Sequence, residues 1–188
     1  MRRQHGRQLH SSGDRHAQAT RKVRLSRRGD CHRAQRRRPG LRVGFHGQST
    51  ISGSIKNGSG LSGAGIGGAA SWTFRNCSGS FGVTGSGSGT SSSINLVSYS
   101  NGVTIGDFSG IDWTFNVSDL FGSCTFVVTG TTNFTYTNST AILAFTGSGS
   151  LITQTTTGSG CAGVFTAGDT VAFTGSYIVS PALTITSP

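Results

Sequence analysis

Apolar and polar residues alternate in segment after segment of this chain: Trp72 and Phe74 in ASWTFRN, Ile111, Trp113, Phe115 and Val117 in IDWTFNV, and Val171, Phe173, Tyr177 and Val179 in TVAFTGSYIV. A period of two sends successive side chains to opposite faces of an extended backbone, so these segments are predicted to be half-buried strands. Between them stand KNGSG, TGSGSGT, YSNG, TGSGS, TTGSGC and TAGD, which read as turns, and β-branched Thr, Val and Ile fill the runs. The pattern predicts an all-β fold, an antiparallel β-sandwich or barrel of roughly eight to ten short strands, preceded by a disordered basic head. Short echoes occur, SWTF with DWTF and CSGSF with CAGVF, but their separations are unequal. A solenoid needs a fixed period, so these echoes are strands reusing a small alphabet. The same irregularity argues against ice binding by the pairs Thr135/Thr137, Thr153/Thr155 and Thr184/Thr186.

Charge divides the chain in two. The head, residues 1–46, holds 14 of the 16 Lys and Arg and two of the six Asp. From Gly47 onward the only basic residues are Lys56 and Arg75 and the only acids Asp107, Asp112, Asp119 and Asp169. The formal charge of +10 therefore belongs to the head and says nothing about the partners of the β-domain, residues 47–188. That domain carries 48 Ser and Thr and 25 Gly in 142 residues, a composition poorly suited to helices.

Three cysteines, Cys77, Cys124 and Cys161, lie in the β-domain and Cys31 in the head, with no CxxC spacing. Every histidine is in the head, at positions 5, 10, 16, 32 and 46, so a zinc site within the β-domain has no imidazole to use. The cysteines read instead as disulfide-forming, in an exported protein. We favour Cys124 with Cys161, Cys77 being the alternative partner, and one of the three is left over within the domain.

The head has three readings. An arginine arm would neutralise nucleic-acid phosphates without sequence preference, through Arg21, Lys22, Arg24, Arg27, Arg28, Arg33, Arg36, Arg37 and Arg38. A solvated disordered tail is the second. The third is a mis-called start or shifted frame in a GC-rich gene, standing where a signal peptide belongs; no apolar core of signal-peptide length occurs in residues 1–46, and no segment of the chain reaches the length of a membrane span.

Catalytic patterns are sparse. A Ser/His pair has no histidine within 47–188, and no nucleophile elbow, calcium loop or phosphate-binding glycine pattern is present. The four Asp could form a carboxylate pair, with Asp107 and Asp112 five residues apart in GDFSGID, but aspartates at turns and strand ends are the simpler explanation. Trp72 and Trp113 alternate with inward positions, which assigns them to a core before a sugar platform. No cofactor is expected.

With SWTFRNC, GSGCAGVF and the closing SPALTITSP on the page, residues 47–188 resemble small exported Ser/Thr/Gly-rich β-sandwich proteins of actinobacteria, which implies a secreted or cell-surface domain without catalytic activity. Its partners would be a cell envelope, a glycan, or a second copy through a sheet edge. The alternative plan, an arginine arm ahead of a β-sandwich, resembles small icosahedral viral coat proteins and implies nucleic-acid binding if the head is authentic. A second alternative is an envelope glycan-binding module.

Overall fold

Strands fall where the alternation places them. The computed structural model describes residues 19–27, 44–161 and 164–186. Ten strands follow residue 44: β2 (Phe45–Asn57), β3 (Ala70–Gly79), β4 (Thr84–Ser91), β5 (Ser93–Ser100), β6 (Val103–Asp119), β7 (Gly122–Thr137), β8 (Ile142–Gly149), β9 (Leu151–Thr157), β10 (Thr170–Val171) and β11 (Thr174–Ser180). An eleventh, β1 (Ala19–Arg27), lies within the basic head. Among the described residues all ladders are antiparallel, and only two short 3-10 turns, Ser80–Gly82 and Ser159–Cys161, interrupt the strands.

The strands from β2 to β11 form one curled sheet, a half-barrel. Its organiser is the β6–β7 hairpin, paired along its full length from Val103↔Thr137 to Asp119↔Gly122. Each arm serves two neighbours. The first half of β6 pairs with β5 and the second with β4; the first half of β7 pairs with β9 and the second with β8. The hairpin bends at a bulge between Phe108 and Ile111, where Gly110 takes φ 60°, a left-handed value that a side chain would strain. These two strands, of 17 and 16 residues, are longer than the short strands expected, because each continues through the bend and serves two neighbours.

The half-barrel has β2 at one lip and β11 at the other, and β1 pairs with both: Arg24 and Leu25 stand opposite Ser52 and Ile51 on β2 and opposite Ser180 and Val179 on β11. Followed strand to strand, β2–β3–β4–β6–β7–β8–β11–β1 returns to β2, a closed ring that leaves no lip unpaired. The head, expected to lack regular structure, thus contributes a strand over residues 19–27, and β2 begins at Phe45, two residues ahead of the expected boundary at 47.

Inside the ring the core is aromatic. Trp72 packs against Trp113 with ring centroids 4.8 Å apart, and Phe108, Phe145 and Phe173 close around the pair at 5.2, 5.8 and 5.5 Å from Trp72. A second stack runs Phe115, Phe126, Phe165 and Phe45, with Phe126 and Phe165 only 4.2 Å apart. Both tryptophans are buried, as their alternation requires.

TGSGSGT, read as a turn, is the body of strand β4. Its serines point out, and its glycines face the rings of the core: a Cβ at Gly87 would lie 2.5 Å from Cδ1 of Phe115. Glycine is there to make room for phenylalanine and tryptophan, a reason that no local propensity rule contains. Gly87→Val is expected to cost about 2–3 kcal/mol through overpacking, while Ser86→Val and Ser88→Val, on the outer face, should stay within about 0.5 kcal/mol of the unchanged protein in urea titrations. TVAFTGSYIV likewise divides, into β10 and β11, with buried Phe173 in the break.

Candidate binding surface

With the aromatics turned inward, the outward positions of the sheet are Ser and Thr, and the ladder register lines them up in rows. One row runs Thr50, Thr73, Ser88, Thr114, Val127 and Thr155 across β2, β3, β4, β6, β7 and β9. Beside it run Ser52, Ser71, Thr90, Asp112, Thr129 and Ile152. Neighbouring strands lie about 4.8 Å apart, so the hydroxyls form a close array that exchanges hydrogen bonds with water or with a polar ligand equally well.

At the edge of this array the surface is hollowed. Strand β3 bulges between Phe74 and Cys77, with Asn76 at φ 52°, where asparagine is one of the few residues at ease. At this bulge lies an open depression of about 820 Å³ lined by Arg75, Asn76, Ser78, Thr84, Ser86 and Asn116. Asn116 Oδ1 accepts a hydrogen bond of 2.8 Å from the Thr125 hydroxyl, which fixes its carboxamide. The depression offers a cation, two amides and several hydroxyls. Sequence reading missed it, although the broken alternation in FRNC was its signal.

The opposite wall presents a different outer face. Val103, Thr137, Ile142 and Ile178 form a row across β6, β7, β8 and β11, next to Ile105, Thr135, Ala144 and Ser176. Val103, Ile105, Ile142 and Ile178 are all exposed. Thr135 and Thr137 belong to this apolar face, whereas Thr153 is buried and Thr155 is not, so the Thr-x-Thr pairs share no common surface.

Three of the four acids of the β-domain bond within the fold. Asp119 accepts backbone N–H bonds from Phe121 and Gly122, at 2.7 and 3.1 Å, in the β6–β7 turn, and Asp169 accepts the Thr166 N–H at 2.9 Å in the turn before β10. Asp107 is bonded by the Asn95 amide at 2.8 Å, and Asn95 Oδ1 in turn accepts the Gly65 N–H. Asp107 lies in the half of β6 that pairs with β5 and Asp112 in the half that pairs with β4, with the bulge between them. Among the described residues no group of three His, Cys, Asp or Glu is placed to hold a metal ion, and no helix is long and apolar enough to cross a membrane.

Cys124, on β7, and Cys161, in the 3-10 turn after β9, are joined, with Cα atoms 4.8 Å apart and both side chains buried. Cys77 is not left over: it too is disulfide-bonded, and none of the described cysteines is free. Of the arm residues, Arg21, Lys22, Arg24 and Arg27 belong to β1 and pair with β2, and Arg24 also stands opposite Ser180 on β11. Arg28, Arg33, Arg36, Arg37 and Arg38 lie outside the described residues, as does Cys31. No family model matches the chain, and neither a curated protein nor a solved structure matches it.

Proposed function

We propose that this chain is an exported or cell-surface β-domain that acts by binding and not by chemistry. The observation that carries the reading is the cysteine inventory: Cys124 is bonded to Cys161, Cys77 is bonded as well, and bonds of this kind persist in an oxidising compartment. The charge-poor hydroxyl rows agree with it, since an uncharged polar shell suits contact with an envelope or another neutral polymer. The test is fractionation of the source cells with thiols alkylated before lysis. The expected result is chain in the medium or on the surface, with Cys124 and Cys161 recovered as one linked peptide. A cytosolic chain alkylated at these positions would overturn the proposal.

The glycan-binding version has its own support in the depression beside Arg75, Asn76 and Asn116, whose amide and guanidinium groups are of the kind that hydrogen-bond sugar hydroxyls. On a glycan array, Arg75→Ala with Asn116→Ala is expected to lower any signal at least tenfold, about 1.4 kcal/mol. An unchanged signal would move the site elsewhere. The coat-protein alternative loses support from β1, because four of its nine arm residues sit in a strand of the ring.

A further inference from the structure

One end of the ring is closed by the chain itself, in an unusual way. After β11 the backbone turns at Pro181 and Ala182 and runs extended through Leu183, Thr184 and Ile185, outside any strand ladder. It is held by side chains. The Tyr136 hydroxyl donates to the Leu183 carbonyl at 2.8 Å and accepts the Leu183 N–H at 3.0 Å. Two residues on, the Asn138 carboxamide donates to the Ile185 carbonyl at 2.7 Å and accepts the Ile185 N–H at 3.1 Å. In an extended chain the N–H and C=O of residues i and i+2 point to the same side, so two side chains spaced by two, one near the end of β7 and one just past it, do what a neighbouring strand would do. Tyr136 is buried with only its hydroxyl put to this use, and Asn138 follows the end of β7.

The side chains of the held segment supply the selectivity. Leu183 and Ile185 pack against the core and wall an apolar cavity of about 50 Å³ with Ile51, Leu96, Phe108 and Phe134. Thr184, between them, is exposed. On its far edge the segment borders a cleft of about 250 Å³ shared with Asn57, Gly60 and Leu61.

From these contacts we infer that the Tyr136–Asn138 end of the ring is a receptor for an extended apolar-x-apolar peptide, filled here by the chain's own Leu183–Ile185 and open to the same segment of a second copy. Backbone recognition by a phenol and a carboxamide is indifferent to which chain supplies the strand, and every copy carries a matching Leu-Thr-Ile. Exchange remakes the same four hydrogen bonds and the same two apolar contacts. The hinge, Pro181 and Ala182, is short and exposed, as in proteins that swap a terminal element.

The receptor in the test is the full chain carrying Leu183→Ser and Ile185→Ser, which keeps every residue of the clamp and releases its occupant. The probe is a fluorescent peptide of residues 180–186, Ser-Pro-Ala-Leu-Thr-Ile-Thr. By anisotropy the double variant is expected to bind it at least about tenfold tighter than the unchanged chain, in which the tethered segment competes at millimolar effective concentration. Adding Tyr136→Phe and Asn138→Ala should abolish binding, and mixing unchanged chain with the double variant should yield a dimer by size exclusion whose fraction rises with concentration. A folded double variant that binds the peptide no better than the unchanged chain overturns the inference. If the double variant does not fold, hydrogen exchange on the unchanged chain decides: Leu183 and Ile185 amides opening faster than global unfolding support an exchangeable segment, and amides that open only with the whole fold overturn it.

Discussion

Trp72→Ala is expected to lower the unfolding free energy by about 3–5 kcal/mol, the largest effect of any single substitution considered for this protein. Its indole meets five other rings, those of Phe74 and Trp113 on β3 and β6, Phe108 across the bend in β6, Phe145 on β8 and Phe173 in the break before β11. Truncation would therefore open a cavity where both walls of the ring meet, and the surrounding strands, tied by their ladders, have little freedom to collapse into it. The nitrogen adds a second term. Trp72 Nε1 donates to the Ser91 hydroxyl at 3.4 Å, and Ser91 is fully buried, whereas the Nε1 of Trp113 has no hydrogen-bond partner among the described residues. Urea titrations should accordingly rank Trp72→Ala as the most destabilising, Trp72→Phe next, and Trp113→Phe least, because the last removes a polar group that already lacks a partner. Equal costs for the two phenylalanine variants would mean that the long Ser91 bond contributes nothing.

The residues that support this prediction also show what was legible in the sequence. Period-two alternation around Trp72, Trp113 and Tyr177 gave strand positions and inward faces directly, since in an antiparallel sheet the face of a residue depends only on parity. Tertiary crowding carries no such local signature. Gly85, Gly87 and Gly89 read as a loop because glycine and serine favour turns, and only the partner strand β6, with Trp113 and Phe115 opposite, explains why a strand should lack side chains on one face. Strand pairing at long range was equally hidden. Nothing in ATRKVRLSR distinguishes a solvated arm from a strand, and what selects it is the pair of open lips at β2 and β11, which lie at opposite ends of the β-domain sequence. Of the candidate surface, disulfide formation was readable from residue type, but the choice of Cys161 over Cys77 as the partner of Cys124 needed the fold, which sets the Cα atoms of Cys124 and Cys161 4.8 Å apart. The depression at Arg75 and the clamp at Tyr136 and Asn138 were not readable, since each depends on a bulge or on a tail folding back from a distance of 47 residues.

Removing the Cys124–Cys161 bond is expected to be the second large effect. The bond closes a segment of 37 residues, and the chain-entropy relation for a loop of that length gives about 3–4 kcal/mol of destabilisation when the cross-link is lost. Cys124→Ala with Cys161→Ala is the appropriate variant, because it removes both sulfurs without leaving one buried thiol unpaired. Location sharpens the expectation. Cys161 anchors the turn after β9 to the start of β7, and β9 with the two-residue β10 forms the free edge of the sheet. Without the bond, the edge is held by the β7–β9 ladder, the stacking of Phe165 on Phe126 and Phe45, and the hydrogen bond of the Ser159 hydroxyl to the Phe121 carbonyl, so its amides, Thr153 through Thr157, should exchange with solvent well before those of β6 and β7. A reductant then separates the two bridges. Dithiothreitol should lower the midpoint of the unchanged chain by more than the double alanine substitution does, and should lower that of the double alanine variant again, because Cys77 is bonded too. A double variant with unchanged stability would show that packing around Cys161 holds this edge without help from the cross-link. A double variant indifferent to reductant would mean that the Cys77 bond constrains a segment already ordered in the unfolded chain.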